Sequence, residues 1–451
     1  MKLKNFTPEI MKNCLKMNMG VELETLRVTA AGEMAKTPPP FREGDTLTRD
    51  FAENQMEINT PIYHSEKDAR AYLNNTLREM RRTLAKKKEP EYLWPSSVPP
   101  VLHAENDVPI AQYSGWDAPE TTYREYLAAK YDRRRMALCG VHVNFSISDD
   151  LLLWVHSQNF KNDTNYSNWK NQLYLEITQK ALAYGWILTA LTAASPLVDG
   201  SYFDYTAAGT TGYCGMASVR QSEFGFWNNF SPVLDYSTLN NYADSLEDLM
   251  VKKLLHCPSE LYIPVRIKPA GQYSIERLHR AADHIELRMI DVNPMEPSGV
   301  ELWVLEFCRF FLLWCAFGSD TLTLRNEQQV QCYQNFKNAA RYDLNNSTVT
   351  LPDGMVKTVQ EAAVDVLASM REFYNRVLDK VGQFAPALQA AGVDGLFHCL
   401  TVAEDKINNP DRRYSHIIKE HCGSDFAAIT LGLTKSYSNI AANIRHKNKA
   451  V

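Results

Sequence analysis

No stretch of this 451-residue chain is apolar for long enough to cross a bilayer. The longest apolar run, Val300–Phe317, is interrupted by Glu301, Glu306 and Arg309. A membrane helix needs about 20 mostly apolar residues, so the run reads as a buried helix. The opening segment, Met1–Asn18, alternates lysines with apolar residues and holds no hydrophobic segment of signal-peptide length. Charge of one sign is also scarce. A formal net charge of −5 argues against wholesale binding to nucleic acid or an anionic membrane. The basic runs Lys86–Lys88 and Arg133–Arg135 read as solvated faces or helix ends. Nine scattered cysteines, an odd number without a CxxC pair, point to free thiols in a reducing cytoplasm and not to a disulfide framework. Without a secretory signal, the patterns Asn144-Phe145-Ser146 and Asn345-Asn346-Ser347 carry little weight as glycosylation sites.

Familiar catalytic signatures are missing as well. There is no GxxxxGK[ST] and no GxGxxG, which disfavours the common nucleotide folds. HExxH is absent, GxSxG is absent, and no cysteine has a marked histidine partner. No repeat, low-complexity tract or Pro/Gly-rich linker cuts the chain. These absences predict one domain over residues 1–451, sheet-rich over about 15–300 and mainly helical over about 300–451.

What is present falls into two kinds of pattern. Helical periodicity marks Ala69–Lys86, preceded by Ser65 and Asp68 in a capping-box arrangement, and a long helix over Gln172–Ala194. Pro352-Asp353-Gly354 signals a turn, after which Thr358 and Glu361 cap a helix running towards Phe384. The irregular stretches are Pro38–Arg49, Ser157–Asn171 and Gly200–Gly215. The last has glycines at 209, 212 and 215 and suits either an ordinary surface loop or a lid over a site.

The second pattern is strict alternation. Around Gly20–Arg27, Glu22 and Glu24 share one strand face while Val21 and Leu23 point oppositely. Cys139–Ser146 sets His142 and Asn144 against Val141, Val143 and Phe145. Leu261–Lys268 sets Tyr262, Arg266 and Lys268 against Ile263, Val265 and Ile267, and His284–Met289 sets Glu286 and Arg288 against Ile285, Leu287 and Met289. Any one such strand fits a half-solvated sheet. Four assembled in one sheet favour a cavity lined by carboxylates and bases, in an α+β fold of antiparallel strands backed by helices. Carboxylates in number with one histidine suit Mg²⁺ or Mn²⁺ better than zinc, and neighbouring Arg and Lys suit a metal-bridged polyphosphate. The residues alone thus indicate metal-dependent phosphoryl transfer and leave the acceptor open.

Eight segments, in order, resemble the bacterial glutamate–cysteine ligase (γ-glutamylcysteine synthetase) family. They begin with Gly20-Val-Glu-Leu-Glu-Thr-Leu-Arg-Val, Arg49-Asp-Phe-Ala-Glu-Asn-Gln-Met-Glu-Ile-Asn-Thr-Pro and Leu93-Trp-Pro-Ser-Ser-Val-Pro-Pro. Tyr123-Arg-Glu-Tyr-Leu, Gly140-Val-His-Val-Asn-Phe-Ser, Ala194-Ser-Pro, Ser218-Val-Arg-Gln-Ser-Glu-Phe-Gly-Phe and Ile285-Glu-Leu-Arg-Met-Ile-Asp-Val-Asn-Pro follow. The resemblance implies a glutamine-synthetase-like fold whose curved, mostly antiparallel sheet forms a funnel. In it ATP and Mg²⁺ would convert the γ-carboxylate of glutamate into an acyl phosphate for attack by the amine of cysteine. It places Glu22, Glu24, Asp50, Glu57, His142 and Glu286 at metal-ligand positions, Arg288 at the transferring phosphoryl group and Arg220 at the glutamate α-carboxylate. Tyr123, Arg124 and Tyr262 match positions around the acceptor. Arg266 and Lys268 are assigned to ATP phosphates mainly on charge and strand face. Glu53 reads as a helix-surface residue.

Two departures bear on the acceptor. Gly225-Phe226 stands where the family has Gly-Tyr, and His142-Val143-Asn144 where it has His-Tyr-Asn. Phe226 and Val143 would make the pocket less polar, shifting preference by about 1 kcal/mol. The chain ends at Val451 without the ATP-grasp extension of some relatives, so the expected product stops at the dipeptide. Beside cysteine, another small amino acid or amine remains an alternative acceptor. Two alternative functions are disfavoured: a non-catalytic sensor of glutamate or nucleotide by the retained metal-type residues, and a guanidino kinase on the same distant fold by the Gly20-Val-Glu-Leu-Glu and Leu93-Trp-Pro blocks. The expected partners are small molecules only, in the cytoplasm, with no nucleic acid or membrane; oligomeric state is open.

Overall fold

A computed structural model describes residues 17–42, 44, 46–159, 165–318, 321–381, 393–423 and 425–447. Its centre is an open seven-stranded antiparallel sheet formed by β1 (Met17–Thr29), β2 (Leu47–Arg49), β3 (Gln55–Asn59), β4 (Glu91–Trp94), β5 (Gly140–Ile147), β6 (Val265–Lys268) and β7 (His284–Asp291). The order is β2-β3-β1-β5-β7-β6, and β4 pairs with the far end of β1. The fold is α+β.

Alternation does what the sequence patterns promise. Val21, Leu23, Val141, Val143, Phe145, Ile285 and Leu287 pack into the core from one face of the sheet. The other face carries the charged residues. Register then brings those residues into rows: Glu22 pairs with Asn59 on one side and His142 on the other, Glu24 pairs with Glu57, and Glu286 pairs with Asn144 and Arg266. Between Val141 and Val143 the register against β7 shifts by one residue. Such a bulge re-aims side chains next to a site.

Helices cover the apolar face. The helix Leu302–Phe317 is buried on nearly every side, each large side chain contributing about 1.5–3 kcal/mol by leaving water. One of its interrupting charges is paired: Arg309 Nε lies 2.7 Å from Glu66 Oε1 of the helix Glu66–Ala85. Among the described residues no helix is long and apolar enough to cross a membrane.

Several expectations are corrected. The helix Glu66–Ala85 forms, but Ser65 makes no side-chain cap. The stretch Gln172–Ala194 is not one helix; Tyr166–Tyr184 ends at Gly185 and Trp186–Thr192 begins a new one. Leu261–Lys268 is a strand only from Val265 onwards, because Pro264 has no N–H for the ladder. Glu53 is in a turn between β2 and β3, not on a helix, and pairs with Arg49 Nη1 at 2.5 Å. The Thr358–Glu361 cap is present, with hydrogen bonds in both directions, and its helix is described to Val381; Phe384 lies outside the described residues. The eight described cysteines are all free.

Candidate active site

The polar face of the sheet floors a cavity of about 260 Å³. β1 supplies Glu22 and Glu24, the segment following β2 supplies Asp50, and β3 supplies Glu57. His142 comes from β5, Arg266 and Lys268 from β6, and Glu286 and Arg288 from β7. Loops and a helix complete the wall with Arg220, Phe226, Tyr262, Tyr123 and Arg124. All but one of the residues assigned from the sequence therefore meet in one place.

Val143 is the exception. It is 0 % exposed on the core face, paired with Val21 and Leu287, because strand alternation turns it away from its neighbours His142 and Asn144. It is no part of the pocket. The segment Gly200–Gly215, read as either a surface loop or a lid, lines no part of the cavity. It forms a small ribbon, Val198–Asp199 with Thr211–Gly212, and Tyr202 anchors it through a hydrogen bond to the Phe224 carbonyl.

The carboxylates form two groups with opposite electrostatics. Ligand atoms of Glu22, His142 and Glu286 all converge within 4.8 Å of one another. Burial would raise Glu22, but the hydrogen bond from His142 and the charges of His142 and Lys268 outweigh it and hold the carboxyl at about 2. Burial would raise Glu286 too; Arg266, Arg288, Lys268 and His142 instead hold it well below the usual carboxylate range. Arg288 Nη1 bonds Glu286 Oε1 at 2.6 Å, and Arg266 Nε lies 3.1 Å from Oε2. The second group is Glu24, Asp50 and Glu57. Burial and the Asp50 charge raise Glu24 to about 8, against Arg220 and Arg288. Burial followed by Glu22, Asp50 and Glu24 raises Glu57 well above its ordinary value, and burial with Glu22 raises Asp50. Three clustered acids, Glu24 buried and Asp50 and Glu57 half-buried, that resist ionising together form a donor set suited to positive charge.

The bases are positioned by backbone. Arg220, 5 % exposed, donates to the carbonyls of Arg288 and Ile290 at 3.0 and 3.3 Å, and its Nη2 faces His142 Nε2 at 3.3 Å. Gly140 makes this approach feasible: a Cβ there would lie 2.0 Å from Arg220 Nη2. Arg124 donates to the carbonyls of Asp50 and Arg49 and pairs with Glu120 Oε2 at 2.8 Å, so in this structure it supports Asp50. Phe226 packs on Tyr262 with ring centroids 4.1 Å apart.

Some contributors had no signal of their own in the sequence. Asn144 Nδ2 donates to Glu22 Oε1 at 2.6 Å; alternation placed it on the correct face without revealing the bond. Asp291 binds the hydroxyls of Ser195 and Ser218 at 2.7 and 3.0 Å beneath Arg220. Ser259 and Phe51 also line the cavity and belong to no repeating pattern.

A family model described as glutamate-cysteine ligase matches residues 3–253 and 250–339. The chain belongs to the glutamate–cysteine ligase family. Members it resembles include a glutathione biosynthesis bifunctional protein GshAB of Clostridium perfringens, 26 % identical over 440 residues. That match covers 94 % of this chain and 54 % of the relative. A glutamate–cysteine ligase of Clostridium acetobutylicum is 29 % identical over 372 residues, covering 72 % of this chain and 76 % of that one. The chain thus spans about half the length of the bifunctional relatives it matches. Among solved structures, a Francisella tularensis glutamate–cysteine ligase in complex with AMP superposes with a TM-score of 0.80 at 19 % identity, covering 94 % of this chain and 89 % of that one. The bifunctional glutathione synthetase of Pasteurella multocida superposes with a TM-score of 0.78 at 24 % identity, covering 96 % and 54 %. Both likenesses support the family fold.

Proposed function

We propose that this member of the family joins the γ-carboxylate of glutamate to the amino group of cysteine with ATP, giving γ-glutamylcysteine, ADP and phosphate through a γ-glutamyl phosphate. One observation supports this above others: a single cavity holds an acidic half and a basic half that share Glu286. A carboxylate resists attack by an amine at neutral pH, whereas its acyl phosphate does not, so the catalyst's task is neutralisation and positioning.

Six of the residues fit Mg²⁺ or Mn²⁺: Glu22, Glu24, Asp50, Glu57, His142 and Glu286 offer carboxylate oxygens and one imidazole, the chemistry hard cations take. Bound there, such ions would neutralise phosphate charge. Arg266 and Lys268 hold the phosphates of ATP, and Arg288 meets the charge that develops on the transferring phosphoryl group. Arg220, fixed by two carbonyls, pairs with the α-carboxylate of glutamate. Tyr123, Tyr262 and Phe226 bound the acceptor, and Arg124 keeps Asp50 in place. The substrates are small molecules.

A second reading concerns the acceptor alone. Phe226 presents a ring without a hydroxyl against Tyr262, which favours cysteine together with apolar analogues such as 2-aminobutyrate. A panel of amino acids assayed for glutamate-dependent ADP release tests both. Activity with cysteine is expected; the absence of glutamate-dependent release with every amino acid defeats the proposal.

A further inference from the structure

Glu260 lies outside the cavity wall and is 0 % exposed, in a short turn Pro258–Glu260. A buried carboxylate is costly unless every lone pair is used. Here the bonds reach three separate segments. Oε1 accepts from Lys130 Nζ at 2.5 Å and from the Tyr131 hydroxyl at 2.8 Å. Oε2 accepts from the His256 amide at 2.6 Å. The Glu260 carbonyl accepts from Asn228 Nδ2 at 2.8 Å.

Asn228 closes the circuit. Its Nδ2 also donates to the Tyr131 hydroxyl at 3.1 Å, and its Oδ1 accepts from the Tyr262 amide at 2.8 Å. Every donor therefore meets an acceptor along a chain from the end of the helix Ala118–Lys130 to the backbone of Tyr262. Tyr131 meets the Tyr262 ring edge-on, centroids 5.5 Å apart, while Phe226 packs on it at 4.1 Å. The His256 ring, whose amide Glu260 holds, stacks on Tyr123. Both tyrosines assigned to the acceptor are thus set by bonds that converge on Glu260, Tyr123 through the His256 amide and Tyr262 through Asn228 and Tyr131.

We infer that Glu260, acting with Asn228 and Tyr131, is the positioning element of the acceptor side of the cavity, fixing Tyr262 and Tyr123 without touching substrate. This inference rests on the proposed ligase activity. It does not extend to the acidic floor, since Glu260 bonds none of the carboxylates there. Loss of the clamp therefore loosens acceptor binding and leaves ATP and glutamate binding largely unchanged.

The test is steady-state kinetics of Glu260→Ala, Glu260→Gln and Tyr131→Phe, each substrate varied in turn, with cysteine as acceptor. Glu260→Ala is expected to raise the KM for cysteine by about tenfold or more, with the KM values for ATP and glutamate within about twofold of wild type. Glu260→Gln keeps the shape but only one of the two side-chain acceptor oxygens, so it restores the cysteine KM only in part. Parallel changes in all three KM values, or a fall in kcat alone, overturn the inference. If Glu260→Ala does not fold, Tyr131→Phe decides, because it removes only the bridging hydroxyl: a selective rise in the cysteine KM supports the clamp and an unchanged value refutes it. Failure of the ligase reading shows separately, as a wild-type enzyme without glutamate-dependent ADP release, and the inference falls with it.

Discussion

His142 Nδ1 lies 3.0 Å from Glu22 Oε2 across neighbouring strands, and 3.8 Å from Glu286 Oε1. Burial and the Arg288 charge hold the imidazole at about 4, so it is neutral at pH 7 and able to act as a metal ligand. Glu22→Gln or Glu286→Gln should abolish ADP formation while leaving the circular dichroism spectrum unchanged. A variant retaining more than about a tenth of wild-type turnover, a barrier change under about 1.4 kcal/mol, removes that residue from the ligand set.

The raised carboxyls set a pH dependence. Glu24 at about 8 keeps its proton in the folded, metal-free protein where the unfolded chain has lost it above 4.5. Folding stability from this group therefore falls as pH rises from 4.5 through about 8. His142, depressed from 6.5 to about 4, opposes that trend only below 6.5. Between about 6.5 and 8, the metal-free protein should lose thermal stability, and saturating Mg²⁺ should remove the slope. A Tm that stays flat or rises across this window without Mg²⁺ would falsify the assignment. Calorimetry at pH 7 should also detect protons released on Mg²⁺ binding.

Arg288 and Arg220 should separate kinetically, because one meets charge that develops late and the other a carboxylate present throughout. Arg288→Lys is expected to collapse kcat with little change in the KM for ATP or glutamate. Arg220→Ala should mainly raise the KM for glutamate. Normal kcat with a raised KM in Arg288→Lys would make Arg288 a ground-state binder.

Gly140 offers a milder probe of the same group. A Cβ at this position collides with the Arg220 guanidinium, which must move. Gly140→Ala should reproduce the glutamate KM effect of Arg220→Ala in direction and in part of its size, with little effect on the cysteine KM. Unchanged glutamate kinetics would show that the guanidinium relocates without cost.

Phe226→Tyr restores a hydroxyl beside Tyr262, and competition between cysteine and 2-aminobutyrate should then move towards cysteine. Differences of one small group in such a pocket amount to about 1–3 kcal/mol. Mass spectrometry of the two dipeptides measures the ratio, and a ratio unmoved by the substitution ends the argument that Phe226 sets preference.

Period-two alternation determined, from sequence alone, that Val21, Leu23, Val141, Val143, Phe145, Ile285 and Leu287 face the core and that Glu22, Glu24, His142, Glu286 and Arg288 face the site. A pleated strand leaves no other choice, and it is the same rule that excludes Val143. The block resemblance determined the family and, within it, nearly all the residues that meet in the cavity. Strand order, the register that sets Glu24 beside Glu57, and the bulge beside His142 were decided only by the tertiary structure, since each depends on partners far apart in the chain. The same holds for Gly185, where one periodic run breaks into two helices, and for Glu260, whose partners Lys130, Asn228 and His256 share no periodicity with it. A buried carboxylate is defined by what surrounds it in space, and no spacing along the chain encodes that.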